Sequence, residues 1–462
     1  MAEWASRRLH FVGIGGAGMS GLALVCAELG ATVTGSDRSD SSYMERLRAA
    51  GLSPIVGHAA ADVPDGAEVV VSTAIGEDNP ELALARERGL EPLHRGELLA
   101  QLCAEKRLIA VAGTHGKTTT AAMLAWALRG LGAEPAFFVG GEVPGLGPEG
   151  AAANAGWGRG EWVVAEADES DGSFLRLRPE IAVVTNLEMD HHSRWGSLAE
   201  LRAAFRDFAA PASAVVVPAA GGLDEIAARG ELVRFAADAP GSPLLTLAVP
   251  GHYNLLNARA ALAALALTSS PPASSRFAAP GAAKDEVGGE AGAVGREAEA
   301  LADFPGVRRR LELKGERSGA RVYDDYAHHP TEVRAALSAL RELGPERLVA
   351  VFQPHLYSRT KAFAEQFGAA LSLADEAVVL DVYPAREEPV GELAGVSGLD
   401  VARAAADRMG GRPVLWAPDR ECARAALAAR LDRAGGDGQV VVTIGAGDVF
   451  EIGEALVAAG SK

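Results

Sequence analysis

Cysteine is scarce in this chain: three residues, Cys26, Cys103 and Cys422, among 462, with no CxxC pair. A disulfide framework needs a far higher density, so the fold is expected to rest on its apolar core in a reducing, cytoplasmic compartment. Net positive charge is also missing. The formal balance is -17, a field that repels phosphate backbones and anionic lipid heads and argues against nucleic acid or a membrane surface as partner. No apolar run reaches the ~18 residues of a membrane span. Arg7 and Arg8 followed by an apolar stretch to Ala27 imitate a secretory leader, but Gly13, Gly15, Gly16 and Gly18 interrupt it where a strand should turn into a helix.

What the chain has instead is a repeated strand, turn and helix. At 462 residues it exceeds a single core, since domains cluster near ~100 to 150 residues. Leu9 to Val12 reads as a buried strand, Met19 to Leu29 as a helix stopped by Gly30, and Ala31 to Gly35 and Val69 to Ser72 as further strands of a small parallel sheet. A second unit opens with the strand Leu108 to Ala112 and a helix from Thr118 toward Leu131; the strands Trp162 to Ala165 and Ile181 to Thr185 follow. Residues 269–302 are rich in Ala, Gly, Pro and Ser and read as a flexible insertion. Strands at Arg347 to Phe352, Ala377 to Leu380 and Val440 to Ile444 then alternate with Ala-rich helices in a third parallel unit. The fold class is α/β in three domains, at 1–104, 105–311 and 312–462.

Between strand and helix lies Gly113-Thr114-His115-Gly116-Lys117-Thr118-Thr119. Backbone amides and a helix N-terminus face an anion there, Lys117 adds charge, and the Thr118 hydroxyl can bind magnesium. Val111 occupies the place of the first glycine of the common GxxxxGK[ST] loop, which disfavours a general NTPase or kinase. Two neighbouring strands end in Glu166-Ala167-Asp168-Glu169 and Thr185-Asn186-Leu187-Glu188-Met189-Asp190-His191. Carboxylate and imidazole beside a phosphate loop can hold Mg2+ against a γ-phosphate. A solvated acidic loop is the plain alternative for either segment by itself.

Upstream, Gly13-x-Gly15-x-x-Gly18 with Asp37 at the end of the next strand fits a dinucleotide fingerprint. Alone it favours an NAD-dependent dehydrogenase. A second phosphate loop has no place in such an enzyme, and a short G-T-x-G-K-[ST] loop downstream of a glycine turn resembles the Mur ligases and the folylpolyglutamate synthetases. The Mur ligase pattern extends over nearly the whole chain. It implies a Rossmann-like N-terminal domain, a P-loop mononucleotide-binding central domain and a Rossmann-like C-terminal domain.

By that resemblance, Gly15, Gly16, Ala17, Gly18, Met19 and Ser20 grip the diphosphate of a UDP-sugar, with Asp37, Ser72, Thr73 and Arg95 on the same side. Asn79-Pro80-Glu81 belongs to the same resemblance. The loop Gly113 to Thr119, Asn254, Asn257, one of the pair Arg309 and Arg310, and Asp325 would bind ATP; Thr118 would bind a first Mg2+, and Glu166 and His191 a second, with His192 keeping the histidine ligand ambiguous. His328 or His329 would lie near the phosphates, and His355 and Arg359 would hold the amino acid's carboxylate. Lys117, Glu166, His191, His328 and Arg359 form the implied catalytic set. Tyr253 and Ser193 depart from the family pattern.

Several relatives carry a carbamylated lysine near the metal, but no lysine lies between Lys117 and Lys284 here, which agrees with the branch that adds L-alanine. The implied reaction joins L-alanine to the lactyl carboxylate of UDP-N-acetylmuramate through an acyl phosphate, with ATP consumed, in peptidoglycan precursor synthesis. Rival readings are a ligase adding a tripeptide to the same nucleotide sugar, an NAD-linked oxidoreductase, and a non-catalytic nucleotide-binding protein. Three substrates on three domains imply closure, with hinges near Glu105 and Glu312. Monomer and dimer both remain open.

Overall fold

The computed structural model describes residues 2–189, 194–227, 230–238, 245–268, 290–385, 387–434 and 436–460. Its strands form three sheets. The first contains β1 (Arg8–Val12), β2 (Thr32–Asp37), β3 (Ile55–Val56), β4 (Glu68–Val71) and β5 (Leu93–His94), all parallel, in the order β3-β2-β1-β4-β5. β1 is central because Leu9, Phe11 and Val12 are buried on both faces, as a parallel strand covered by helices requires. The order reverses beside β1, so a crevice opens where β1 and β4 end.

The second sheet contains β6 (Arg107–Ala112), β7 (Ala136–Val143), β8 (Ala153–Gly156), β9 (Trp162–Glu166), β10 (Ile181–Val184), β11 (Ala214–Pro218) and β12 (Glu231–Phe235), in the order β12-β11-β10-β6-β9-β7-β8. Only β8 runs antiparallel to its neighbour. β6 again holds the centre, with β9 and β10 on either side, so the chain leaving β6 is flanked by both of their ends.

The third sheet contains β13 (Glu312–Arg317), β14 (Ala320–Asp325), β15 (Arg347–Phe352), β16 (Glu376–Leu380), β17 (Val414–Ala417) and β18 (Gln439–Ile444), in the order β13-β14-β18-β15-β16-β17. A purely parallel unit was expected here. Instead β13 and β14 make an antiparallel hairpin, because Ser318 and Gly319 both take positive φ, at 50° and 88°, the turn that matches strand twist.

The chain divides into two compact units, Met1–Leu247 with Leu255–Pro305, and Ala248–Asn254 with Gly306–Lys462. The expected hinge near Glu105 therefore falls inside one unit, and the physical reason is visible. One apolar cluster runs from Phe11 and Leu22 to Ala110 and Phe138 across the first two sheets. Polar contacts reinforce it: Trp4 Nε1 donates to Glu105 Oε1 at 3.3 Å, Arg46 pairs with Glu142, and Asn154 Nδ2 donates to the Ala17 carbonyl at 2.8 Å.

The expected insertion is also corrected in part. Residues 269–289 lie outside the described residues, but Glu290–Ala302 is a helix. Its Ala- and Glu-rich sequence favours that state, and Leu301 is fully buried. Among the described residues no helix is long and apolar enough to cross a membrane.

Candidate active site

Beyond β6 the chain bends sharply at Gly113, whose φ is 132° and where a Cβ would lie 2.1 Å from Thr185 Oγ1. The helix Lys117–Gly130 is capped by Gly116 at φ 81°, and a Cβ there would meet Asn257 Oδ1 at 2.5 Å. Only glycine satisfies both positions. Its neighbours brace the loop. Thr185 Oγ1 donates to the His115 carbonyl at 2.5 Å, while Asn186 accepts from His115 N and donates to His115 O, both at 2.9 Å. The Thr114 hydroxyl donates to the Glu188 carbonyl at 3.0 Å. Motif reading singled out the loop and missed Thr185 and Asn186 as its brace, although polar residues directly after a buried strand were the available signal.

Lys117 lies under this loop. Its Nζ donates to the Gly113 carbonyl at 2.7 Å and pairs with Glu169 at 2.9 Å. Burial opposes its charge, but Glu169, Asp168 and Glu166 outweigh that and hold the ammonium protonated. Burial pushes the Glu169 carboxyl up, against the pull of Lys117. At the loop's mouth the Thr118 hydroxyl donates to Glu166 Oε1 at 3.0 Å, and Glu166 Oε2 accepts from Gly140 N at 2.7 Å. A hydroxyl and a carboxylate beside a phosphate loop are the hard oxygen donors that Mg2+ takes. His191, the third expected ligand, lies outside the described residues, as do His192 and Ser193.

The glycine turn follows β1. Gly13 N and Ile14 N donate to the Ser36 carbonyl at 2.8 and 2.9 Å, and Gly15 N donates to Asp37 Oδ2 at 2.9 Å. The helix Ala17–Glu28 then starts, and its first amides, those of Ala17, Gly18 and Met19, have no acceptor within the helix. Amides so placed at a helix start are of the kind that can face an anion. Asp37 serves the turn itself, and the Ser20 hydroxyl donates to the Ala17 carbonyl at 3.0 Å. Ile75 packs against Gly13, which brings the segment from Ser72 and Thr73 to the same place. The Arg95 guanidinium lies beside Gly18 and pairs with Asp171 at 2.9 Å.

In the second unit, both Asp325 oxygens accept backbone N–H groups, from Ala327 at 2.7 Å and Leu311 at 2.8 Å. Burial pushes its carboxyl up to about 6. His329 caps the helix Pro330–Glu342, and its ring stands edge-on to Phe363. The His328 ring, with Nδ1 3.1 Å from the Tyr326 carbonyl, is pushed down to about 4 by burial and stays neutral near pH 7. His355 stacks on Tyr383 at 5.8 Å and lies 6.2 Å from His328. Between His355 and Arg359, Leu356 takes φ 69°, strain of a kind that gathers at binding sites.

Arg309 has several structural partners. Its Nε pairs with Asp324 at 3.1 Å, Nη2 donates to the carbonyls of Gly445 and Gly447, and the guanidinium covers Tyr326 and Phe450. Asn254 Nδ2 donates to the Pro250 carbonyl at 2.7 Å. Asn254 belongs to the second unit and Asn257 to the first.

Two nucleotide-type turns, each at the carboxyl end of a central parallel strand, and a third sheet beyond them define a multidomain α/β nucleotide-binding enzyme. Comparison with known proteins narrows the class. The Mur ligase family, catalytic domain, matches residues 8–107; the Mur ligase middle domain matches 111–220; and the Mur ligase, glutamate ligase domain, matches 309–447. The UDP-N-acetylmuramate–L-alanine ligase of Renibacterium salmoninarum is 45% identical over 97% of this chain and 95% of its own length. Its counterpart in Mycolicibacterium vanbaalenii is 45% identical over 98% and 96%. The crystal structure of the UDP-N-acetylmuramate-alanine ligase of Thermotoga maritima matches with a TM-score of 0.77 at 28% identity, covering 98% of this chain and 100% of that one. The chain belongs to the Mur ligase family.

Proposed function

We infer that this chain is an ATP-dependent ligase that joins L-alanine to the lactyl carboxylate of UDP-N-acetylmuramate; its relatives' names give the two partners joined, UDP-N-acetylmuramate and L-alanine. The observation that carries the reading is the presence, in one compact unit, of a glycine turn suited to a diphosphate and a Lys-bearing phosphate loop. A dehydrogenase needs only the first of these. The acidic balance and the absence of a membrane-length helix among the described residues support a cytoplasmic setting.

The chemistry follows from the substrates. A carboxylate is a poor acceptor for an amine, because its carbonyl is electron-rich and oxide cannot leave. Transfer of the γ-phosphoryl group makes an acyl phosphate; the alanine amine attacks, and phosphate departs from the tetrahedral adduct. Phosphoryl transfer asks mainly for positioning and neutralised charge. Lys117 supplies a fixed positive charge under the loop, and Thr185 and Asn186 keep the loop's amides in place. Thr118 and Glu166 would each hold Mg2+, which would neutralise further charge on the phosphate oxygens.

In the second unit, His355 and Arg359 are assigned the alanine carboxylate, for which a guanidinium offers bidentate hydrogen bonds. The strained Leu356 between them supports that assignment. His328 is neutral and acts as a hydrogen-bonding group rather than a cation. One of the neighbouring pair Arg309 and Arg310 meets an ATP phosphate. Asp325 orders the backbone around the nucleotide segment.

The deciding experiment measures phosphate release from ATP with UDP-N-acetylmuramate and Mg2+, offering L-alanine, the tripeptide or no acceptor. Release with L-alanine alone is the expected result. Release with the tripeptide moves the chain to the tripeptide-adding ligases, and silence under every condition defeats the ligase reading.

A further inference from the structure

Glu81 has no exposed surface, and neither do His10 and Ser36 around it. Its Oε2 accepts the Ser36 hydroxyl at 2.7 Å and lies 3.3 Å from His10 Nε2. Oε1 accepts from Ala59 N at 3.2 Å and lies 3.4 Å from His58 Nδ1. The network closes outward through His10 to Thr34 and through Ser36 to His58, both at 2.8 Å. Burial disfavours the charge, but the bonds from His10 and Ser36 outweigh it, and the carboxyl is held below its ordinary range. Sunk this deep, Glu81 is out of reach of any ligand at the surface.

Burying a carboxylate costs several kcal/mol unless every acceptor position is used. What this one secures is the end of β2. The Ser36 carbonyl holds Gly13 N and Ile14 N, and the next residue, Asp37, holds Gly15 N. The position of the glycine turn is therefore set by Ser36 and Asp37, and Ser36 is set by Glu81. Asn79 fixes the backbone of Glu81, its Oδ1 accepting from Glu81 N at 2.9 Å at the start of the helix Pro80–Glu87.

We propose that Glu81 is a positioning residue for the nucleotide sugar: through Ser36 it holds the glycine turn so that the amides of Ala17, Gly18 and Met19 point at the diphosphate. The proposal rests on the reading of that turn as the UDP-sugar site. A glutamine has the same shape but puts an NH2 against the Ser36 hydroxyl or Ala59 N, so at least one donor loses its acceptor and the end of β2 shifts.

The test compares wild type, Glu81→Gln and Ser36→Ala by calorimetric titration with UDP-N-acetylmuramate and, separately, with a non-hydrolysable ATP analogue, followed by steady-state kinetics. Both variants should bind the nucleotide sugar about tenfold more weakly, as when a supporting partner of a bound group is lost. KM for the nucleotide sugar rises, kcat stays, and affinity for the ATP analogue is unchanged. Equal loss of both ligands, or unaltered nucleotide-sugar affinity in the variants, overturns the proposal. If Glu81→Gln does not fold, Ser36→Ala, which deletes one hydroxyl, decides alone. Wild-type protein that binds no UDP-N-acetylmuramate overturns the turn assignment itself, whereas wild-type binding matched by the variants overturns only the role of Glu81.

Discussion

Lys117 and Asn186 show how differently single residues disclose their work. A lysine in Gly-x-x-Gly-Lys-Thr announces itself, and in the fold it is buried and paired with Glu169 at 2.9 Å. Lys117→Ala should lower the rate of phosphate release by about two to three orders of magnitude, as removal of one preorganised electrostatic contact does. Calorimetric binding of UDP-N-acetylmuramate should persist in that variant. Asn186 has no motif; its two hydrogen bonds to His115 exist only once β10 lies beside β6. Asn186→Ala should raise KM for ATP by about tenfold, the worth of one to two net hydrogen bonds, and a change in KM for L-alanine instead would contradict that role. Arg309 and Asp325 match a family segment, and in the fold each also has internal partners: the guanidinium is engaged by Asp324, Gly445 and Gly447, and the carboxylate by two backbone amides. Asp325 also makes a pH prediction. Its folded-state pKa of about 6 exceeds the ordinary 3.8, so the folded chain retains a proton that the unfolded chain releases. This group therefore favours the fold below the lower value, and that contribution is lost as pH rises through about 6. Carboxyl NMR should place its midpoint near 6, and Asp325→Asn should flatten the corresponding slope of unfolding free energy.

At the level of elements, strands and helices with strong apolar patterns were legible within a residue or two: β15 was expected and found at Arg347–Phe352, and the helix expected from Thr118 begins at Lys117. Elements read from composition fared worse. Residues 290–302 shared the small-residue bias of the stretch before them, and their helix was missed because its stability comes from a buried Leu301 and from packing on the helix Lys117–Gly130. Leu301→Ala should destabilise the protein by about 2 to 4 kcal/mol in urea unfolding, as a cavity in a packed core does. A loss below about 0.5 kcal/mol, typical of surface sites, would mean that the helix is not docked. The β13–β14 hairpin was missed for a related reason. Ser-Gly is an ordinary pair in a loop and becomes a strand-reversing turn only when both flanking segments find partners.

For the molecule as a whole, the notable feature is that the first two sheets share one apolar core and several polar contacts. The glycine turn after β1 and the Lys117 loop are thus carried by a single compact unit. Amide hydrogen exchange should report the same opening free energy for β1 and β6, and Asn154→Ala, which removes a bond to the Ala17 carbonyl, should lower both together. Independent opening of β1 would instead place a hinge near Glu105.

Taken alone, the sequence determined the α/β class, the two nucleotide turns, the lysine in the loop and the family, because glycine spacing, buried strand runs and local charge are properties of neighbours along the chain. The tertiary structure decided which polar residues brace which segments. Thr185 and Asn186 brace a loop some seventy residues earlier, Glu81 supports a turn through Ser36, and Arg309 is engaged by its own sheet. Hydrogen bonds between segments distant in sequence depend on strand order and register, and no local pattern encodes those.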